Sequence, residues 1–168
     1  MAHDPLTHFD DRGAARMVSI EDKDPTRRHA EARARVRMQP ATCARIAAGE
    51  VGKGDVLGVA RLAGIQGAKL TPQLIPLCHP VGLTSVEVDL AVDPDLPGVQ
   101  IRALVRAVDR TGPEMEALTA AATAGLAVID MCKAMDRTMA LEAVELWAKS
   151  GGKSGAWRRD GEERPTPR

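Results

Sequence analysis

From Ser85 to Val92 the chain reads SVEVDLAV, apolar at every second position. Side chains alternate across a strand, so Val86, Val88, Leu90 and Val92 share a face that must be covered, while Glu87 and Asp89 stay wet on the other. The next segment, Pro94 to Gly98 (PDLPG), is built of turn formers, and Val99 to Val108 (VQIRALVRAV) supplies a second strand to pair back as a hairpin. A lone hairpin with one apolar face is not stable in water. The rest of the chain has to extend this sheet and cover it.

Ala32 to Met38 (ARARVRM) alternates small or apolar residues with Arg33, Arg35 and Arg37, which reads as a strand with one basic face. Pro40 opens a short helix through Ala48, closed by Gly49, and Asp55 caps a longer one running to about Lys69. Within it Ala60, Gly64 and Ala68 form a four-residue stripe bare enough to admit another backbone. Gly112 and Pro113, the proline at a first-turn position, introduce a third helix to about Met135. Met139 to Trp147 has helical propensity, but the sheet needs another edge and the segment is read as a strand. This order is the split β-α-β of a ferredoxin-like α+β sandwich, an antiparallel sheet with helices on one face. With 168 residues the chain fits one domain, placed at residues 1–157, followed by a polar tail at 158–168 (RRDGEERPTPR).

Charge and aromatic content narrow the function. Twenty-three basic side chains balance 23 acidic ones, so no global field holds a nucleic acid, and Phe9, Trp147 and Trp157 are too few to stack single strands. Cys43, Cys78 and Cys132 lie far apart, which predicts reduced thiols, neither a disulfide framework nor a metal site. MAHDPLTHFDDRG lacks the apolar core of a signal peptide, and no uncharged apolar run has membrane-spanning length, so a soluble cytoplasmic protein is expected.

Five segments carry candidate chemistry. LIPLCHP, Leu74 to Pro80, fixes the backbone around Cys78 and His79; neighbours in sequence diverge, so His79 is read as an orienting contact and Cys78 as packing. KGDV sets Lys53 at the mouth of a helix, where an anion is favoured. In DMCKAMDR, taken as the last turns of the third helix, Asp130 and Lys133 share a face at three residues and Lys133 and Arg137 at four. Glu114 and Glu116 flank Met115 and point to different faces, unlike a glycosidase pair. SGGKSG resembles a phosphate-binding P-loop, but Trp147 stands where that pattern requires glycine, leaving a flexible loop that carries Lys153, with Lys149 at its start.

In sequence order GEVGKGDVLGVARLAGIQGAK, LIPLCHPVGLTSVEVD, TGPEMEALTAA, IDMCKAMDR and KSGGKSGAW closely resemble the molybdenum cofactor biosynthesis protein C family, the cyclic pyranopterin monophosphate synthases. The resemblance runs from about Leu6 to Trp157 and includes THFDDRGAARMV. It implies a ferredoxin-like lyase with no redox cofactor, assembled as a trimer of dimers with each site between two subunits. The implied substrate is a cyclised dihydroguanosine triphosphate, rearranged to cyclic pyranopterin monophosphate with loss of pyrophosphate. On this resemblance Lys53 and Lys133 are catalytic with Asp130 positioning Lys133; Arg28, Lys149 and Lys153 join Lys53 around the phosphates; and His79, Glu114 and Glu116 hold the purine-derived part in a pocket lined by Cys78 and Met115. Ser19 in MVSI and Leu70 in AKLT depart from the family pattern at a usual Asp and a usual basic position. Rival expectations are a non-catalytic nucleotide-binding module and a metal-dependent phosphohydrolase using Cys78, His79 and Cys132.

Overall fold

The computed structural model describes residues 9, 10 and 12–160. Its elements are β1 (Thr26–Arg37), α1 (Pro40–Ala47), α2 (Val56–Leu74), β2 (Leu83–Asp93), β3 (Gly98–Asp109), α3 (Glu114–Cys132), β4 (Ala140–Ser150) and β5 (Trp157–Arg158). The strands form one sheet in the order β2-β3-β1-β4-β5, every pairing antiparallel. This is the expected α+β ferredoxin-like arrangement, with a short fifth strand added at the edge.

β1 is central because its two faces suit two environments. Ala30, Ala32, Ala34 and Val36 are buried on one side, where Val36 lies beneath α3. The alternate residues form ion pairs within β1 and with the neighbouring strands. Arg33 pairs with Glu31 at 2.7 Å, Arg102 bridges Glu31 and Asp89 at 3.0 and 3.3 Å, and Glu142 accepts from Arg35 and Arg37 at 2.5 and 2.7 Å. The expected basic face is therefore an ion-pair lattice.

Two bulges fit β4 to this lattice. Between Arg35↔Glu142 and Arg33↔Glu145, two β4 residues oppose one on β1; Ala143 takes a positive φ of 52° there, and both glutamates emerge on the arginine face. Trp147 is the extra residue in the second irregularity. It is 4% exposed, with the Arg33 guanidinium 4.2 Å from its ring centre.

On the other face α2 and α3 approach through small residues. A Cβ on Gly64 would stand 3.0 Å from the Ala120 carbonyl, 3.1 Å from Val88 and 3.2 Å from Ala124; one on Gly67 would collide with Thr123, and one on Gly125 with Leu141. The stripe of Ala60, Gly64 and Ala68 thus serves contact within the chain. Apolar enough to cross a membrane by length and composition alone, α3 has Ala117, Ala120, Ala121, Ala124 and Val128 in the core.

Several boundaries differ from sequence expectation. β1 starts at Thr26, not Ala32, because pairing down to Thr26↔Asp109 overrides the broken alternation at Arg27–His29. α2 continues to Leu74 through Pro72. Pro113 is the N-cap of α3, not a first-turn residue. α3 stops at Cys132, which puts Arg137 outside the helix, off the face it was expected to share with Lys133. Asp136 sets that stop: its buried carboxylate accepts from the Gln39 N–H and the Thr138 N–H, both at 2.8 Å, and from the Thr138 hydroxyl at 2.7 Å. Arg158 and Arg159, assigned to the polar tail, lie against β4; residues 161–168 fall outside the described residues.

Filling the α2–α3 seam is expected to cost stability. Gly64→Val should lower stability by about 1–3 kcal/mol through overpacking, read as a fall in Tm by circular dichroism; an unchanged Tm would mean that the helices are not held at this spacing.

Candidate active site

α3 carries candidate residues at both ends. At its N-terminal end a cavity of about 460 Å³ opens between the segment after α2, the β3–α3 connection and the chain preceding β1. Leu77, Cys78, His79 and Val81 form one wall, Thr111, Gly112, Glu114, Met115 and Glu116 another, and Val18, Ile20 and Lys23 a third. Five sequence candidates, Cys78, His79, Glu114, Met115 and Glu116, are thus brought together. Lys23 and Thr111 were missed by sequence reasoning. The nearest signal was MVSI, whose Val18 and Ile20 line the cavity on either side of the noted Ser19.

The two glutamates do point apart, with opposite consequences. Glu114 faces Lys149, whose Nζ lies 3.0 Å from its Oε1 and 3.2 Å from the Ser154 hydroxyl. Glu116 is 2% exposed, and its Oε1 has no hydrogen-bond partner. Burial pushes its pKa up to about 7, with Glu114 and Asp109 adding repulsion. Near neutrality this group can donate as an acid or accept as a carboxylate. Burial also raises the Cys78 thiol, and the charge of Glu116 adds to the shift. A raised thiol pKa works against the thiolate form that a nucleophile needs.

Arg28 reaches the same end of the sheet. Its Nε–H donates to the Asp109 carbonyl at 2.8 Å and its NH2 group to the Arg110 carbonyl at 3.2 Å, just before Thr111 in the cavity wall. Gly151 and Gly152 press against it: a Cβ on Gly151 would collide with the Arg27 carbonyl, and one on Gly152 with the Arg28 guanidinium. Lys153 is exposed on the loop that follows.

A second cluster stands at the C-terminal end of α3. Lys133 Nζ lies 2.6 Å from Asp130 Oδ1. Lys53 donates to the Asp130 carbonyl at 2.9 Å and lies 3.7 Å from its Oδ2. Lys53 was expected at the mouth of α2. It stands there, two residues before Asp55, the expected cap, whose side chain accepts from the Gly58 N–H at 2.8 Å; its ammonium reaches across to α3. The hydrogen bond from Lys133, reinforced by both ammonium charges, holds the Asp130 carboxyl below the usual range.

These clusters do not meet within one chain. Glu116 and Asp130 are fourteen residues apart on one helix, about 21 Å at 1.5 Å per residue. Lys53 is likewise separated from Arg28, Lys149 and Lys153, with which it was grouped. Cys132 is buried at the end remote from Cys78 and His79, so these three cannot ligate one metal in a single chain. Among the described residues no three His, Cys, Asp or Glu side chains converge to hold one.

Fold and site define a ferredoxin-like α+β protein with an acid-floored, cation-rimmed cavity at one end of its core helix and a lysine–aspartate–lysine cluster at the other. The MoaC family profile matches residues 17–152. Similar proteins include cyclic pyranopterin monophosphate synthases from Pelotomaculum thermopropionicum, 56% identical over 94% of this chain and 93% of that protein, and Roseiflexus sp. strain RS-1, 57% identical over 89% and 95%. A third, from Brucella ovis, is 55% identical over 90% and 92%. The chain belongs to the MoaC family.

The raised pKa of Glu116 has a signed consequence. An unfolded glutamate ionises near 4.5 and the folded one near 7, so the unfolded state sheds its proton first and stability falls as pH rises through that window. Glu116→Gln removes this loss. Its Tm relative to the parent should rise by roughly 6–12 °C between about pH 4.5 and pH 8; parallel Tm curves would refute the assignment.

Proposed function

We propose that the chain is a cyclic pyranopterin monophosphate synthase, a soluble cytoplasmic lyase of molybdenum cofactor biosynthesis. It converts a cyclised dihydroguanosine triphosphate into cyclic pyranopterin monophosphate and pyrophosphate. The observation that carries this reading is the Lys53–Asp130–Lys133 cluster, two ammonium groups on one carboxylate, in a chain 55–57% identical to enzymes of that name.

The chemistry asks for what the two clusters offer. Ring opening and reclosure need groups that give and take protons, the role assigned to Lys53 and Lys133, with Asp130 fixing Lys133. Closing the cyclic monophosphate requires a substrate hydroxyl to attack the α-phosphorus as the bond to pyrophosphate breaks. Arg28, Lys149 and Lys153 meet the charge that develops on the leaving group. His79 and Glu116 orient the heterocycle, with Cys78 and Met115 as walls, and Glu114 holds Lys149. The reaction rearranges bonds without net oxidation, so no redox cofactor is called for.

The separation of about 21 Å favours a site shared between subunits. Leu118, Ala122 and Leu126 form a stripe along α3 that is incompletely buried, Leu126 being 56% exposed. The stripe centres on Ala122, next to residue 123, midway between Glu116 and Asp130. Two copies packed antiparallel on it about a two-fold axis would set the Glu116 end of one against the Asp130 end of the other. In the single chain the side chains of Lys53 and Lys133 are 47% and 61% exposed; the second subunit and the substrate would supply the dry surroundings in which proton transfer is effective. A trimer of such dimers is the assembly proposed.

Incubation with the cyclised triphosphate, followed by oxidation to the fluorescent pterin, tests the activity. Lys53→Ala and Lys133→Ala should each lose at least about a hundredfold in kcat; near-normal turnover in either refutes its role. Each of Lys53→Ala and Glu116→Ala should be inactive alone. Co-refolded in equal amounts they should recover about a quarter of parent activity, since half the dimers then hold one intact site. No recovery would refute a site shared between subunits.

A further inference from the structure

The charged segment after Trp157 stays on the sheet. Trp157 pairs with Lys149 and Arg158 with Ala148. Arg159 then donates its backbone N–H to the Trp147 carbonyl at 2.9 Å and its Nε–H to the Leu146 carbonyl at 3.0 Å, with its guanidinium 3.8 Å from Glu145. One residue thus attaches to three successive residues of β4, whose outer edge would otherwise leave backbone groups unpaired.

Between β4 and this attachment runs the loop 151–156. Gly151, Gly152 and Gly155 have φ of 96°, 70° and 68°, conformations natural to glycine, and three glycines in six residues give a loop with much freedom to lose. It is restrained at both ends. Upstream, Gly151 and Gly152 are pressed against Arg27 and Arg28; downstream, Arg159 fixes the return strand. Ser154 lies 3.2 Å from the Lys149 ammonium, and the Gly155 N–H donates to the Gly152 carbonyl at 3.2 Å. Lys153 stands between these contacts.

We propose that Arg159 is a positioning residue: its attachment to β4 holds the loop 151–156 closed against Arg28, so that Lys149 and Lys153 present their charges together to the pyrophosphate end of the substrate. This rests on the reading of those lysines as phosphate contacts. Arg159 itself touches backbone and Glu145 and acts through the loop.

The test uses the full-length chain with the cyclised triphosphate, and inorganic pyrophosphate as inhibitor. Arg159→Ala should raise KM and the pyrophosphate inhibition constant about fivefold each while kcat stays within about twofold. A purely structural role would instead lower Tm and active fraction and leave both constants unmoved. Lys153→Ala should raise the same constants. In the Lys153→Ala background, Arg159→Ala should then add little, because the loop it orders no longer carries that charge. Full additivity would mean that Arg159 acts as an independent charge, and overturns the proposal. If Lys153→Ala weakens pyrophosphate and Arg159→Ala does not, the positioning role fails while the phosphate reading stands. If neither changes the constants, both fail.

Discussion

The seam between α2 and α3 is what the remaining structure depends on. Where Gly64 and Gly67 face Ala120, Thr123 and Ala124 there is no room for another methyl group, and Gly125 lets α3 settle onto Val36, Ile101 and Leu141 in the same way. Close contact of this kind gains dispersion energy without fixing long side chains, and it leaves little freedom to slide. α3 becomes a stiff rod clamped on two sides. Whatever stands at its ends is held in register with the sheet.

The two ends use electrostatics differently. Around Glu116 burial leaves Oε1 without a partner, so a carboxyl group keeps its proton to near neutrality. Around Asp130 it supplies two cations, and the carboxyl gives its proton up readily. Arg28 and Lys149 are held by carbonyls and by Glu114, which aims their charge at the cost of partly answering it. A chain with zero formal net charge can therefore carry a local cationic rim. The ion-pair lattice on the sheet follows the same economy: Arg33, Arg35, Arg37 and Arg102 are answered there by Glu31, Asp89 and Glu142.

Legibility in the sequence followed distance along the chain. The β2–β3 hairpin and both long helices were readable because periods of two and of three to four residues are local signals. So was the Asp130–Lys133 pair, three residues apart. The Lys53–Asp130 contact spans 77 residues and has no local trace; the sequence placed Lys53 at the helix mouth, where it is, and said nothing of its partner on α3. The same limit hid the packing of Gly151 and Gly152 on Arg28. Its charge made the segment after Trp157 look like a tail, whereas its role at the β4 edge depends on backbone pairing, which side-chain polarity does not report. Resemblance to the family located the candidate residues, and it did not reveal that one chain keeps them in two groups.

Because the groups are spaced by one continuous helix, their relation is quantised. A residue added between Glu116 and Asp130 would turn one group by about 100° against the other and lengthen the rod by about 1.5 Å. Even seven added residues, which nearly restore the facing, would part them by roughly a further 10 Å. The turn at Pro94–Gly98 can be lengthened far more freely than this helix, whose residue count works as a ruler.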